Sequence, residues 1–356
     1  WIKSGDLKDS TIYDANEYIT AAGLENSSAK IVEKDSILIA MYGATVGRLA
    51  ILGINAATNQ AICNIRPDTT IADMKYLYYF LRSKFSYFVE NAVGGAQPNI
   101  SQGLIKSLEV PLPSLIEQKR IADILDKAAD IRQKREQAVK LADDFLRATF
   151  LEMFGDPVAN PKRWDVASLL EYGSFKNGMN FTKGESGSVL KCLGVGNFKS
   201  LATITCMDNI DEIELNTLPS DDYLLKDGDI VFVRSNGNKA LVGRCLTIYP
   251  NKEKVTFSGF CIRYRIEKSA ITAEYLNFLF RTPSMKRQML SGGQGANIQN
   301  ISQGTLSALR IPVPPLEKQQ TFSKIVSFHS ELMKKLNINI VETNDMFDSI
   351  SQTYFK

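Results

Sequence analysis

The chain is expected to fold as α+β: two similar modules joined by two long antiparallel, coiled-coil-like helices, with a pseudo-two-fold internal repeat. Three observations predict this. A glycine-rich segment occurs twice, as Gly94-Gly95-Ala96-Gln97-Pro98-Asn99-Ile100-Ser101-Gln102-Gly103 and across Gly292 to Gly304, where Asn300-Ile301-Ser302-Gln303-Gly304 repeats its end. Each copy runs on to a paired-proline stop, Val110-Pro111-Leu112-Pro113 and Ile311-Pro312-Val313-Pro314. Each stop is followed by a long charged stretch with apolar residues at helical spacing. Asn99 pairs with Asn300 and Pro113 with Pro314, a constant step of 201 residues. Solenoid units recur every ~20–50 residues, so the repeated unit here is a whole domain plus a helix.

The duplication can be followed from the first residues. Ile2 to Leu7 matches Leu193 to Phe198, and Lys34 to Ile39 matches Lys226 to Val231. Gly47-Arg48 matches Gly243-Arg244, and Tyr76-Leu77 matches Tyr275-Leu276. The step between copies grows along the chain, so the second copy carries small insertions, which belong in surface loops. The second copy also has a lead-in, Trp164 to Lys191, that the first lacks. About one lead-in's length of native N-terminus is therefore expected to be missing, which would leave the first module incomplete. Ser36–Met41, Ala61–Ile65, Asp229–Arg234 and Phe260–Ile266 are apolar, β-branched runs bounded by turn residues and predict strands. Met74–Val89 and Ala273–Leu290 carry aliphatic and aromatic residues at i, i+3, i+4 and predict helices. The expected organisation is a first module over 1–113, a first long helix over 114–153, a second module over 154–314 and a second long helix over 315–356.

The first helix should start at Ser114-Leu115-Ile116-Glu117, a capping-box pattern after a proline stop. Its seam is predicted at Ile121, Ile124, Ala128, Ile131, Ala138, Ala142 and Phe145. The second helix should use Phe322, Ile325, Leu332, Leu336, Met346 and Ile350, widened by Val326, Met333, Ile340 and Phe347. Arg135, His329 and Asn339 interrupt these seams, which suits the setting of register. Each arm of 35–40 residues spans about 55–60 Å as one helix. A stripe that long needs a partner, and the other arm, packed antiparallel, is the obvious one. Gly155 and Pro157 should end the first arm.

Composition bounds the function. With 356 residues, 44% of them hydrophobic, the chain can bury two cores. The five cysteines show no Cys-x-x-Cys spacing and read as reduced core residues of a cytosolic protein. No apolar run approaches the ~18 residues of a membrane span. The single histidine, His329, lies on a helix stripe without a triad or metal-site pattern around it. Gly292-Gly293-Gln294-Gly295 is not followed by the Gly-Lys-Ser/Thr of a phosphate loop, and Gly194-Val195-Gly196 lacks the third glycine of a dinucleotide fingerprint. No catalytic, metal-binding or cofactor-binding residue is therefore assigned.

Charge points elsewhere. Net charge is only +3, and the first arm, Ser114 to Phe150, has eight basic and seven acidic residues. Lys226 to Lys268 holds nine Lys/Arg against four Asp/Glu, and Thr282 to Leu309 holds Lys286 and Arg287 with no acid. Such local asymmetry attracts polyanions. Gln and Asn can bond bidentately to adenine edges, and Arg or Lys to guanine. The candidate DNA-contacting residues are Tyr42, Thr45, Arg48, Gln97 and Asn99 in the first module. In the second they are Arg234, Asn236, Lys239, Arg244, Gln294, Asn297 and Gln299.

The whole pattern resembles the specificity (S) subunit of type I restriction–modification enzymes. The resemblance rests on the doubled glycine-rich segment ending Asn-Ile-Ser-Gln-Gly, the paired-proline stop, the helix start Leu115-Ile116-Glu117-Gln118 and the long helix. Leu316-Glu317-Lys318-Gln319 departs slightly at Lys318. The resemblance implies two target-recognition domains, each reading half of a bipartite sequence in double-stranded DNA. It implies helices that space the readers and dock two methyltransferase (M) subunits, with motor–nuclease (R) subunits joining through the complex. It further implies a non-catalytic chain in the bacterial or archaeal cytoplasm. S-adenosylmethionine, ATP and magnesium would belong to the partner subunits. The alternatives are the recognition portion of a fused restriction–methyltransferase, or a helical scaffold with two non-DNA binding modules.

Overall fold

A computed structural model of the chain describes residues 1–182, 184–198, 202–291 and 300–355. It divides into two compact units. The first is Trp1–Ala138 with Leu336–Lys356, and the second is Val139–Lys335.

In the first unit the elements run β1 (Ser10–Ile12), α1 (Ala21–Glu25), β2 (Ile31–Val32), β3 (Ile37–Ala40), β4 (Leu49–Leu52), β5 (Ala56–Ala57) and β6 (Ile62–Ile65). There follow α2 (Met74–Ser83), α3 (Phe85–Glu90), α4 (Gln102–Lys106) and the start of the long α5 (Leu115–Phe154). The main sheet has order β1-β4-β3-β6, with β1 parallel to β4 and β3 antiparallel to both its neighbours. Successive strand side chains point to opposite faces. Ile37 and Ile39 enter a core shared with α2 and α5, while Leu38 and Ala40 enter a second core with Ile2, Leu7 and Val32. Both faces are covered, which is why these strands read as unbroken apolar runs rather than alternating ones.

The second unit repeats this plan with additions. Its elements are β7 (Val166–Ser168), β8 (Gly173–Asn177), β9 (Ser188–Leu193), β10 (Thr203–Ile204), β11 (Glu212–Leu215), β12 (Asp229–Val233), β13 (Cys245–Ile248), β14 (Val255–Phe257) and β15 (Cys261–Ile266). Then come α6 (Ala273–Arg281), α7 (Pro283–Ser291), α8 (Gln303–Ser307), β16 (Arg310–Pro312) and the start of the long α9 (Leu316–Phe355). The order β10-β13-β12-β15 matches β1-β4-β3-β6 in sequence and direction, and β8 extends it. Each long predicted helix before the glycine-rich segment is two helices, α2 with α3 and α6 with α7. Pro283 opens the second of the latter pair.

The pairing corrects one sequence match. Gly47 donates to the Ala40 carbonyl as Gly243 donates to that of Val233, so Ala40 corresponds to Val233. Asp35 then matches Gly228, not Asp227. Both take a left-handed backbone, φ +65° and +83°, and both donate to the end of the next strand, at Leu52 and Ile248. The shared Lys-Asp dipeptide misled by one residue, and a one-residue slip exchanges the two faces of a strand.

Each arm helix is locked to its own module by a buried glutamine. Gln118, fully buried, accepts from the Asp73 N–H at 2.8 Å and donates to the carbonyls of Ile71 and Pro113. Gln319 does the same with the Thr272 N–H and the carbonyls of Ala270 and Pro314. Tyr76 and Tyr275 add 2.7 Å bonds to the carbonyls of Pro111 and Pro312. The helix-start motif is thus a clamp between an arm and the N-terminus of α2 or α6.

Each unit also receives the far end of the other arm, and the helices run antiparallel within it. In the first, Phe355 packs edge-on to Tyr76 at 5.3 Å, and Arg135 donates to the Asn339 carbonyl and the Thr343 hydroxyl. In the second, Phe154 packs edge-on to Tyr275 at 4.9 Å, and His329 Nε2 lies 3.4 Å from Asp143 without hydrogen-bond geometry. Gly155 ends α5 at φ +79°, where a Cβ would meet Pro161 at 2.6 Å.

The predicted seams need correction. In α5 the buried residues are Gln118, Ile121, Ala122, Leu125, Ala128, Leu146, Phe150 and Phe154. In α9 they are Gln319, Phe322, Val326, Thr343, Phe347, Ser351 and Phe355. Ile131, Phe145, Leu332 and Met346, all placed in the seams, are 42%, 65%, 38% and 44% exposed. The stripes near the arm ends advance by four residues, as in Leu146, Phe150, Phe154. A heptad alternates three and four, so extrapolating it rotates onto the outer face. The cysteine expectation also needs amendment. Cys192, Cys245 and Cys261 are buried, but Cys206 is exposed and Cys63 half-buried.

Candidate nucleic-acid interface

In the first unit, the sheet strand β3 delivers the chain to Tyr42 and a single helical turn, Gly43–Thr45. The glycine-rich loop is stitched to that turn. Tyr42 and Asn99 form an antiparallel bridge, Gly43 N–H donates to the Pro98 carbonyl at 2.7 Å, and Ile100 N–H to that of Met41 at 2.9 Å. The loop closes on itself through two bonds between Val93 and Asn99 and one from Gln97 N–H to the Gly94 carbonyl. Gly94 sits at φ +105°, and a Cβ there would come within 2.7 Å of the Gln97 carbonyl oxygen. The glycine therefore permits a tip so tight that only backbone fits inside it.

Tyr42 and Asn99 are thus brought together, with Thr45 beside them donating its hydroxyl to the Tyr42 carbonyl at 3.1 Å. Arg48 follows, its N–H bonded to the Thr45 carbonyl and its side chain exposed. Gln97 is exposed at the tip, and Tyr42 is 47% exposed. Two residues that sequence reasoning passed over adjoin this group. Arg82 and Phe85 line one cleft with Arg48, Gly47, Leu49 and Asp9. The signal for Arg82 was available, since the α2/α6 match places it opposite Arg281.

The second unit builds the equivalent junction. Ser235 bridges Asn300, Ile301 N–H donates to the Arg234 carbonyl, and Arg234 N–H donates to that of Phe260. Arg234 is half-buried, and its guanidinium has no hydrogen-bond or ion-pair partner among the described residues. Beyond it the loop is held by two Asn-mediated turns. Asn236 Oδ1 accepts from Asn238 N–H, and Asn238 Oδ1 from Ala240 N–H. The Asn236 side-chain oxygen is therefore occupied by the turn, and Lys239 stands exposed at its end. Arg244 is directed into its own unit, donating to the carbonyls of Phe198 and Ala240. Gln294, Asn297 and Gln299 lie outside the described residues. Phe260, 61% exposed beside Arg234, was not foreseen.

The basic excess is smaller in space than along the chain. Arg265 forms a two-bond pair with the buried Asp229, at 2.8 and 2.6 Å. Lys226 pairs with Asp221, holding that carboxyl below its ordinary range. Arg263 is buried against the Asp222 carbonyl. What remains concentrated is the group near Ala240. Burial, and next to it the Arg244 guanidinium, push the Lys286 ammonium below its ordinary value, and Lys286 donates to the Ala240 carbonyl at 3.2 Å. Crowded cations of this kind attract an anion. Among the described residues no cluster of three or more His, Cys, Asp or Glu could hold a metal, and no helix is long and apolar enough to cross a membrane.

Comparison with known proteins agrees with this architecture. The family model described as the type I restriction modification DNA specificity domain matches residues 1–141 and 176–342. The StySPI type I restriction enzyme specificity subunit of Salmonella potsdam is 23% identical over 100% of this chain and 81% of its own length. The MjaVIII specificity subunit of Methanocaldococcus jannaschii is 24% identical over 83% of this chain and 72% of its own. A chain from a structural study of complex assembly and conformational transition in the type I R-M system superposes with a TM-score of 0.61, covering 100% of this chain and 90% of its own at 17% identity. The type I S subunit from M. genitalium gives 0.54, covering 92% and 84% at 18% identity. The two solved structures share the fold, and the family model spans most of both modules. This chain belongs to the type I restriction modification DNA specificity domain family.

Proposed function

We propose that this specificity subunit reads a bipartite duplex DNA target, one half with each module. The observation that carries the reading is the same junction built twice. In each unit the strand-end loop after β3 or β12 is bonded to the start of the Asn-Ile-Ser-Gln segment, and polar or cationic side chains stand on it. Tyr42, Thr45, Arg48, Gln97 and Asn99 serve the first half-site. Arg234, Asn236 and Lys239 serve the second, with Gln294, Asn297 and Gln299 completing it, while Arg244 braces the loop through the Phe198 and Ala240 carbonyls. The domain plan of two readers over 1–113 and 154–314, with spacers over 114–153 and 315–356, follows the same logic. Half-sites about one helical turn apart, ~34 Å centre to centre, suit rigid arms.

The chain itself does no chemistry in this reading. Two methyltransferase subunits dock on the arms and motor–nuclease subunits join through them, bringing S-adenosylmethionine, ATP and magnesium, in the cytoplasm. The exposed apolar residues Ile131 and Met346 in the first unit, and Leu332 and Phe145 in the second, supply a docking face on each arm pair.

The test is Arg234→Ala with Lys239→Ala in the complex with methyltransferase subunits. A bidentate Arg–guanine contact is worth about 1–3 kcal/mol, so cognate affinity should fall roughly 5- to 150-fold, with an unchanged melting profile. Unaltered affinity would remove this loop from the interface. Mapping N6-methyladenine in a host with and without the gene identifies the target.

A further inference from the structure

The first module holds an open cleft at a place where the second commits the corresponding side chains to its own backbone. The cleft is about 360 Å³ and is lined by Asp9, Gly47, Arg48, Leu49, Arg82 and Phe85. Neither guanidinium makes a hydrogen bond or ion pair among the described residues. Arg82 is held by a cation–π contact, its guanidinium carbon 4.7 Å from the centre of the Phe347 ring. A cation–π contact of this kind uses no N–H hydrogen bond, so the donors remain available. The one acid, Asp9, accepts from the Leu49 N–H at 3.2 Å, so one oxygen is already engaged. Phe85, 46% exposed, forms an apolar wall beside Gly47.

The repeat provides an internal control. Arg48 and Arg82 correspond to Arg244 and Arg281. Arg244 donates to the Phe198 and Ala240 carbonyls, and Arg281 to that of Cys245 at 3.3 Å. The fold can therefore use this arginine pair for support, as it does in the second unit. In the first unit the exposed Arg48 and the half-buried Arg82 line the cleft with their forked donors unmatched, two cations against one anion. A phosphate fits: it accepts paired N–H bonds from guanidinium, and an adjoining sugar can lie on an aromatic wall. The cleft also follows directly on the Tyr42–Thr45 turn, since Arg48 N–H bonds to the Thr45 carbonyl.

We infer that this cleft grips a backbone phosphate of the DNA strand read by the first module, with Arg48 and Arg82 as its donors. The inference rests on the proposed DNA reading, which it deepens by separating a phosphate clamp from the base-reading loops. A phosphate contact sets register and affinity without carrying sequence.

The experiment uses the complex with methyltransferase subunits and two duplexes, one with the methylated motif and one scrambled. Affinity is measured between about 50 and 200 mM salt for Arg48→Gln, Arg48→Lys and Arg234→Ala. Arg48→Gln should weaken both duplexes by the same factor and reduce the slope of log K against log salt by about 0.9, one phosphate's share. Arg48→Lys should restore the slope, and the methylated motif should stay the same. An unchanged slope for Arg48→Gln, beside weakened cognate binding for Arg234→Ala, would overturn the clamp and leave the DNA reading standing. No effect from either variant would overturn both. A shifted motif would make Arg48 a base reader, and impaired methyltransferase capture would make the cleft a protein contact; either result sinks the phosphate assignment.

Discussion

Where an arm joins its module, the two halves of this chain are nearly the same object; where a module offers its loops, they differ. Gln118 and Gln319 make the same three bonds, and Tyr76 and Tyr275 the same fourth. A few residues away, the arginine pair that lines a cleft in one unit is bonded to carbonyls in the other. The loop after β3 is a three-residue turn without a cation, whereas its counterpart after β12 carries Arg234 and Lys239 and two Asn turns. Duplication preserved what orients a module and released what the module presents. The proposed reading of two different half-sites would need that division.

The comparison breaks most visibly in the aromatic core. Phe150 contacts the rings of Phe154, Tyr275, Phe278 and Phe322, at 5.1 to 6.1 Å. Its counterpart in the first unit, by the step relating Phe154 to Phe355, is Ser351, 8% exposed. Phe150→Ala should destabilise the second unit by about 3–5 kcal/mol. Ser351→Ala should change the first by less than ~1 kcal/mol, within the range for a small polar group. Hydrogen exchange resolved by unit reads both. Equal losses would mean that the arms, not the local cores, set stability.

The clamps should behave alike. Gln118→Met and Gln319→Met each remove three hydrogen bonds and leave a helix-start N–H buried without a partner. An unsatisfied buried donor costs about 1–3 kcal/mol, so each variant should lose roughly 2–3 kcal/mol in a urea titration. A large loss from one and none from the other would show that the two arm–module junctions are not equivalent.

The arginine clefts should separate again, at smaller scale. Arg244→Gln removes charged bonds to two carbonyls and should cost about 1–2 kcal/mol. Arg48→Gln should leave the midpoint within ~0.5 kcal/mol, because nothing in the fold leans on it. If Arg48→Gln proved the more destabilising, the first cleft would be a structural feature and not an open one.

How far the sequence could be read follows the same division. The doubled motif, the strands beginning Ile37 and Asp229, and the two arms were legible because apolar periodicity and proline stops act locally. Gln118 and Gln319 were visible as a motif, but their role needs Ile71 and Ala270, nearly fifty residues away. Asp35 was misaligned because backbone handedness, not side-chain identity, relates it to Gly228. In the candidate interface, the pairing of Tyr42 with Asn99 could be suspected from proximity to the repeat. The capture of Arg244 by the Phe198 carbonyl could not, since it depends on where a loop passes.

The smallest effect on stability is expected where the helical seam was misjudged, and it is informative for that reason. Leu332 and Ile131 are repeat counterparts, 38% and 42% exposed, as are Phe145 and Met346. An aspartate at an exposed helix position, away from caps and pairs, changes stability by no more than ~0.5 kcal/mol. Leu332→Asp should therefore melt like the parent chain. Placed in an apolar contact with a partner, the same carboxylate would lose hydration without gaining a bond, a cost of several kcal/mol. If one methyltransferase subunit docks on each arm pair as proposed, capture at the second unit should then fail while the first still binds, leaving one subunit in place of two; Ile131→Asp should do the converse. Mass measurement of the assembled complexes counts them. Full assembly by both variants would move docking off this face, and loss of both subunits from a single substitution would show that the two sites are not independent copies.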